Sequence, residues 1–237
     1  MKISHLAAAL LAVSLAACSQ SAPKNGPMTL NRGNGAEIKS LDPDFIDGTW
    51  EANVVGDLIV GLVTEDAAGQ PIPGAATDWS VSPDGLTWTF HLRKNDVWSD
   101  GAPVTAEDFV FAYQRLLDPK TAAQYAYNIW VIKNAKAVND GTMPLSALGA
   151  KAVDDHTLVL TLEHPAPYLP QLLMHQTAYP LPRHLVEKYG NAWAQVAHFA
   201  GNGPYVPKEW VLNDHLTLTK NPKFYDAKHV RIQVVNY

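Results

Sequence analysis

The sequence predicts a mixed α/β fold, with strands and helices interleaved in the α+β manner, and three stretches predict it. In the first, Trp88, Phe90 and Leu92 alternate with Thr87, Thr89 and His91, the two-residue period of a half-buried strand. In the second, Phe109, Val110, Tyr113, Leu116 and Leu117 share one helical face. That helix opens on a capping-box-like Thr105/Asp108 spacing and closes at Asp118-Pro119. In the third, Leu158, Leu160 and Leu162 point one way along a strand, joined to Lys151-Ala152-Val153 by a turn at Asp154-Asp155-His156.

From the amino terminus, Lys2 and the apolar run Leu6 to Ala17 predict a signal peptide over residues 1–17. The run falls short of the roughly 20 apolar residues a membrane span needs. Leu15-Ala16-Ala17-Cys18 resembles a bacterial lipobox, with cleavage before Cys18 and a lipid on its thiol; an ordinary secretory signal with an incidental cysteine is the plainer alternative. Cys18 is the single cysteine, so no internal disulfide can form. Ser19 after the cysteine resembles an outer-membrane sorting pattern, and without the host either leaflet stays open. Residues 18–27, small, polar and punctuated by Pro and Gly, read as a lipidated tether.

Met28 to Arg32 predicts a first strand, and Glu51 to Leu62 a helix with Val54, Val55, Leu58, Ile59 and Leu62 on one face. Gly69 to Gly74 reads as a loop, and Pro83-Asp84-Gly85 as the turn before the Trp88 strand. Ser99-Asp100-Gly101 is turn chemistry. Beyond the Phe109 helix, an Ala- and Lys-containing helical stretch ends at Asp140-Gly141, and Pro165-Ala166-Pro167 opens a short helix carrying Tyr168, Leu169, Leu172 and Leu173. Another helix spans about Pro182 to Tyr189 and stops at Gly190. A hairpin follows, turning at Asn213-Asp214, and Val230, Ile232 and Val234 alternate as a final strand. The chain stops at Tyr237 in or just after that strand, so a missing remainder is expected.

Composition narrows the function. With 237 residues, 47% of them hydrophobic, the chain can bury a sizeable core. A net charge of −5 with no basic stripe argues against nucleic acid as a partner. Catalysis is not expected: there is no nucleophile elbow, no His-Glu-x-x-His and no P-loop. The carboxylate pairs Glu107-Asp108 and Asp154-Asp155 sit where capping and turn solvation explain them. The nine histidines lack metal-ligand spacing, so neither a metal nor another cofactor is expected.

Seven pieces in order carry a resemblance: Leu41-Asp42-Pro43, Trp88 to Leu92, Trp98-Ser-Asp-Gly101, Pro103-Val-Thr105, Asp108-Phe109, Asp154-Asp155-His156-Thr157 and Gly201-Asn-Gly-Pro-Tyr205. Together they resemble the amino-terminal part of the oligopeptide-binding proteins, bacterial extracellular solute-binding proteins of family 5 that serve ABC importers. The resemblance implies a lobed receptor of the type II periplasmic-binding-protein kind, truncated, with the extra lobe of the peptide-binding branch. Residues 28–59 and 183–237 would form part of the first lobe and 60–182 the extra lobe, while the second ligand-gripping lobe has no counterpart. It further implies a monomeric substrate-binding lipoprotein, in the periplasm or cell envelope, that passes short peptides to an importer permease. A sensory or surface lipoprotein of the same fold and a receptor for nickel or another solute are the alternatives.

For site residues, the resemblance implies that an extended peptide pairs through its main chain with Asp47-Gly48-Thr49, with Tyr125 and His175 lining the cleft. Backbone pairing would supply affinity whatever the ligand's side chains. Each has a plainer reading beside it. Asp47-Gly48-Thr49 also reads as a polar connector, Tyr125 as a packed aromatic, and His175 as a satisfied buried histidine. The seven tryptophans read as core anchors before ligand platforms.

Overall fold

A computed structural model describes residues 26–237 of the chain. The expected signal peptide, the lipid site at Cys18 and the tether as far as residue 25 lie outside the described residues. In chain order the strands are β1 (Thr29–Asn31), β2 (Val63–Glu65), β3 (Pro71–Pro73), β4 (Ala76–Val81), β5 (Thr87–Leu92), β6 (Ala150–Asp154), β7 (Thr157–Thr161), β8 (Tyr205–Val211), β9 (His215–Lys220) and β10 (Val234–Asn236). The helices are α1 (Thr49–Leu58), α2 (Ala106–Leu117), α3 (Ala135–Asn139), α4 (Leu169–Leu173) and α5 (Arg183–Tyr189).

The strands make two four-stranded sheets, ordered β1-β10-β9-β8 and β4-β5-β7-β6, and a β2-β3 pair. The second sheet is antiparallel throughout, with Phe90 opposite Leu158 and Trp88 opposite Leu160. Those four side chains are buried, so the alternation read in the sequence faces a real core. Against β6 and β7 packs α2, whose Phe109, Tyr113, Leu116 and Leu117 are wholly buried. Each such side chain contributes roughly 1.5–3 kcal/mol on leaving water. Its start is the expected capping box, with the Thr105 N–H donating to Asp108 Oδ2 at 2.9 Å.

Three expectations are corrected. The helix predicted over Glu51 to Leu62 runs instead from Thr49 to Leu58. It begins early because the buried Glu51 carboxylate accepts the N–H groups of Asp47 and Gly48, at 3.1 and 2.8 Å. It ends early because Ile59 is extended and Asn202 Oδ1 takes the Val60 N–H at 2.9 Å. The loop predicted at Gly69 to Gly74 contains β3, which pairs with β2. Pro71 and Pro73 cannot donate to a ladder, yet an outer two-stranded pair tolerates them. Finally, the alternating Val230, Ile232 and Val234 do not form one strand. Only Val234–Asn236 pairs, and its buried residue is Val235. The carbonyls of Val230 and Ile232 are instead met by Lys220 Nζ and the Tyr205 hydroxyl. Pairing of Val235 with Leu218 sets the register one residue away from the pattern.

The two sheets are joined where Gly201-Asn202-Gly203 crosses the chain at Leu58–Val60. The Gly203 N–H donates to the Leu58 carbonyl at 2.9 Å, and the Asn202 amide both accepts from and donates to Val60. A side chain at Gly201 would place its Cβ 2.1 Å from the Leu58 carbonyl oxygen, so the approach requires glycine. From the other side, the Ser99 N–H donates to the Gly201 carbonyl and Asn202 Nδ2 to Asp96.

Candidate functional site

Asp47, Gly48 and Thr49 lead into α1, Tyr125 precedes the 3₁₀ turn Ala126–Ile129, and His175 caps a second 3₁₀ turn, Gln176–Ala178. The fold brings all five together: with Ile46, Ala52 and Gln176 they line one open recess of about 130 Å³. A second recess, about 580 Å³, adjoins it through the shared residues Thr49, Ala52, His175 and Gln176, and extends to Arg32, Glu65 and Tyr179.

Within the first recess, most main-chain groups are already engaged. Glu51 holds the Asp47 and Gly48 N–H groups, the Ala52 N–H donates to the Gly48 carbonyl, and the Tyr125 hydroxyl donates to the Asp47 carbonyl at 3.2 Å. The Thr49 N–H, first donor of α1, meets no protein acceptor among the described residues. A Cβ at Gly48 would lie 2.4 Å from the Trp50 ring, so glycine here answers to space rather than to backbone conformation.

The charges are arranged with equal economy. Lys39 Nζ spans both oxygens of Asp47, at 2.6 and 2.8 Å, and neutralises the carboxylate nearest the recess. The His175 ring lies 5.7 Å from that of Tyr125, and burial holds its imidazole below the ordinary histidine pKa. Its Nδ1 accepts from the Thr177 N–H at 3.3 Å and contacts the Thr177 hydroxyl at 3.0 Å and Asn128 Nδ2 at 3.3 Å. In the larger recess the Tyr179 phenol is pushed up to about 12, chiefly by burial and further by the charges of Glu65 and Asp57.

Sequence reasoning missed Glu51 and Lys39. A Gly48-x-x-Glu51 spacing at a helix start was the available signal for the first. For Lys39, eight residues before its partner in an irregular segment, no pattern existed.

The Leu41-Asp42-Pro43 motif does structural work. Arg115, from α2, bonds both oxygens of Asp42 at 3.0 and 2.7 Å, and also Asp44. Trp193 Nε1 donates to Asp42 at 2.9 Å. Burial, and then the Asp42 charge, push the Asp44 carboxyl well above the usual range. His164 contacts Tyr168 rather than His175, and no group of three metal-ligating side chains occurs among the described residues. No helix among them is long and apolar enough to cross a membrane.

Comparison with known proteins gives a consistent result. The model for the middle part of bacterial extracellular solute-binding proteins, family 5, matches residues 70–237. The periplasmic oligopeptide-binding protein OppA of Salmonella typhimurium is 46% identical over 211 residues, covering 88% of this chain and 39% of the relative. The probable deoxycholate-binding periplasmic protein YgiS of Escherichia coli is 39% identical over 221 residues, 91% of this chain and 41% of that one. Among solved structures, Haemophilus influenzae OppA in complex with RPPGFSPFR superposes with a TM-score of 0.87 at 42% identity, covering 90% of this chain and 42% of that chain. The chain thus spans about two fifths of the length of these relatives.

Proposed function

The chain belongs to the family 5 bacterial extracellular solute-binding proteins, and from that premise we propose that it forms the ligand-facing part of a peptide receptor serving an ABC importer. The recess that gathers Asp47, Gly48, Thr49, Tyr125 and His175 around an unclaimed main-chain donor carries the reading. An extended peptide offers carbonyl oxygens at regular intervals, and Thr49 N–H, at the positive end of α1, is placed to take one. The neutralised Asp47 leaves that entry without strong charge selection. Residues 28–59 with 183–237 are read as one lobe and 60–182 as the extra lobe, and the Cys18 lipid as the periplasmic tether. Relatives named as oligopeptide-binding proteins support the choice of ligand.

Calorimetry of the complete gene product with mixed di- to pentapeptides tests this. Saturable heat with the peptides is expected. Silence with every peptide, together with binding of a nickel chelate or of deoxycholate, would overturn it.

A further inference from the structure

We propose that His175 presents a neutral Nε2–H to an uncharged acceptor oxygen of the ligand, an amide carbonyl, and that the Thr177 main chain fixes this tautomer. The inference rests on the peptide reading above and adds the atom and the chemistry it selects.

A backbone N–H can only donate, so the Thr177 N–H at 3.3 Å makes His175 Nδ1 an acceptor. Neutral imidazole carries one proton, which must then sit on Nε2. The side-chain contacts from Asn128 Nδ2 and the Thr177 hydroxyl fall on the same Nδ1 and are compatible with it. Among the described residues Nε2 has no protein partner, and it is not one of their sealed, unpaired polar atoms. His175 lines both recesses, so its remaining donor serves the space where they meet.

The neutral state also selects the acceptor. Protonating Nδ1 would set its hydrogen against the Thr177 N–H and open the cap of the Gln176–Ala178 turn. Partial burial opposes the imidazolium as well. A neutral donor in a partly desolvated place suits a carbonyl better than a carboxylate, whose charge would draw the second proton in. The groups facing the ring do not reverse this. Asp47 is held by Lys39, Tyr125 is turned to the Asp47 carbonyl, and the Tyr179 phenol stays protonated at neutral pH. Arg32 and Glu65, across the larger recess, bring opposite charges.

Two substitutions separate the two nitrogens. In His175→Asn the side-chain oxygen can still accept from Thr177 N–H, but the distal donor is gone. In His175→Gln the distal amide can donate where Nε2 did, while the cap is lost. On the complete gene product, with trialanine and tetraalanine in calorimetry at pH 7.5, His175→Asn is expected to weaken binding about tenfold, the worth of one hydrogen bond. His175→Gln is expected to stay within about threefold and to melt at lower temperature than His175→Asn. Nitrogen-15 spectra of the unliganded protein should show the His175 proton on Nε2. Wild-type affinity in His175→Asn, or a proton on Nδ1 at neutral pH, overturns the assignment. If the wild type binds no member of the mixed di- to pentapeptide set, the peptide reading itself fails and the inference falls with it.

Discussion

Asp96 is buried with its Oδ2 accepting from Asn202 at 3.2 Å and its Oδ1 unpaired among the described residues. Burial raises its carboxyl from 3.8 to about 7, against the opposing pull of Asn202 and Arg93. The folded protein therefore holds a proton there that the unfolded chain releases near pH 4. The stabilisation is complete below about pH 4 and is lost as pH rises through about 7. Asp96→Asn removes that dependence. Denaturant titrations should show the variant gaining on the wild type between pH 4 and pH 8, by about 1–3 kcal/mol. The Arg115 cluster makes the opposite point. Arg115→Leu leaves Asp42 and Asp44 buried without their cation, and a loss of about 3–5 kcal/mol is expected in the same titrations.

At the scale of elements, Glu51 organises the entrance to α1 through three main-chain donors, those of Lys39, Asp47 and Gly48. Glu51→Ala should cost about 2–3 kcal/mol in thermal or denaturant unfolding, because the entrance to α1 loses its frame; under the proposed peptide reading, calorimetry should show binding weakened in parallel. How far such elements were legible depended on whether their pattern was local. The Trp88 strand, the Phe109 helix and the Leu158 hairpin follow from periodicity and caps, and stand where the sequence puts them. β3 was hidden because a Pro-x-Pro triplet reads as loop although it pairs with the nearby β2, and β10 takes its place from β1, far along the chain, of which a Val-x-Ile-x-Val run carries no record. β4 went unanticipated, since Ala76 to Val81 is mostly exposed and is held by its pairing with β5. The five candidate residues come from the resemblance alone. Of the hydrogen bonds that occupy Asp47 and Gly48, those of Glu51 lay within reach of the local spacing, whereas that of Tyr125 comes from 78 residues away and no spacing could give it.

Across the whole molecule, the crossing of Gly201-Asn202-Gly203 over Leu58–Val60 makes the two sheets depend on each other. Gly201→Ala should abolish folding or cost upwards of about 3 kcal/mol, whereas Gly33→Ala, whose Cβ would meet nothing within 4 Å, should be neutral. The milder Asn202→Ala is expected to split a single thermal transition into two. Hydrogen exchange would report it, β8 and β9 losing protection separately from β5 and β7. One unbroken transition in that variant would show that packing alone couples the sheets.

The parallel pairing of β1 with β10 has a consequence in time. Arg32 and Tyr237 touch across 205 residues of sequence, so the first sheet cannot close until the ribosome has delivered nearly all of the segment between them. The β4-β5-β7-β6 sheet, whose strands lie within residues 76–161, meets no such delay and can collapse early. Until residue 237 has been made the first sheet stays open, while the second can already be closed beside it.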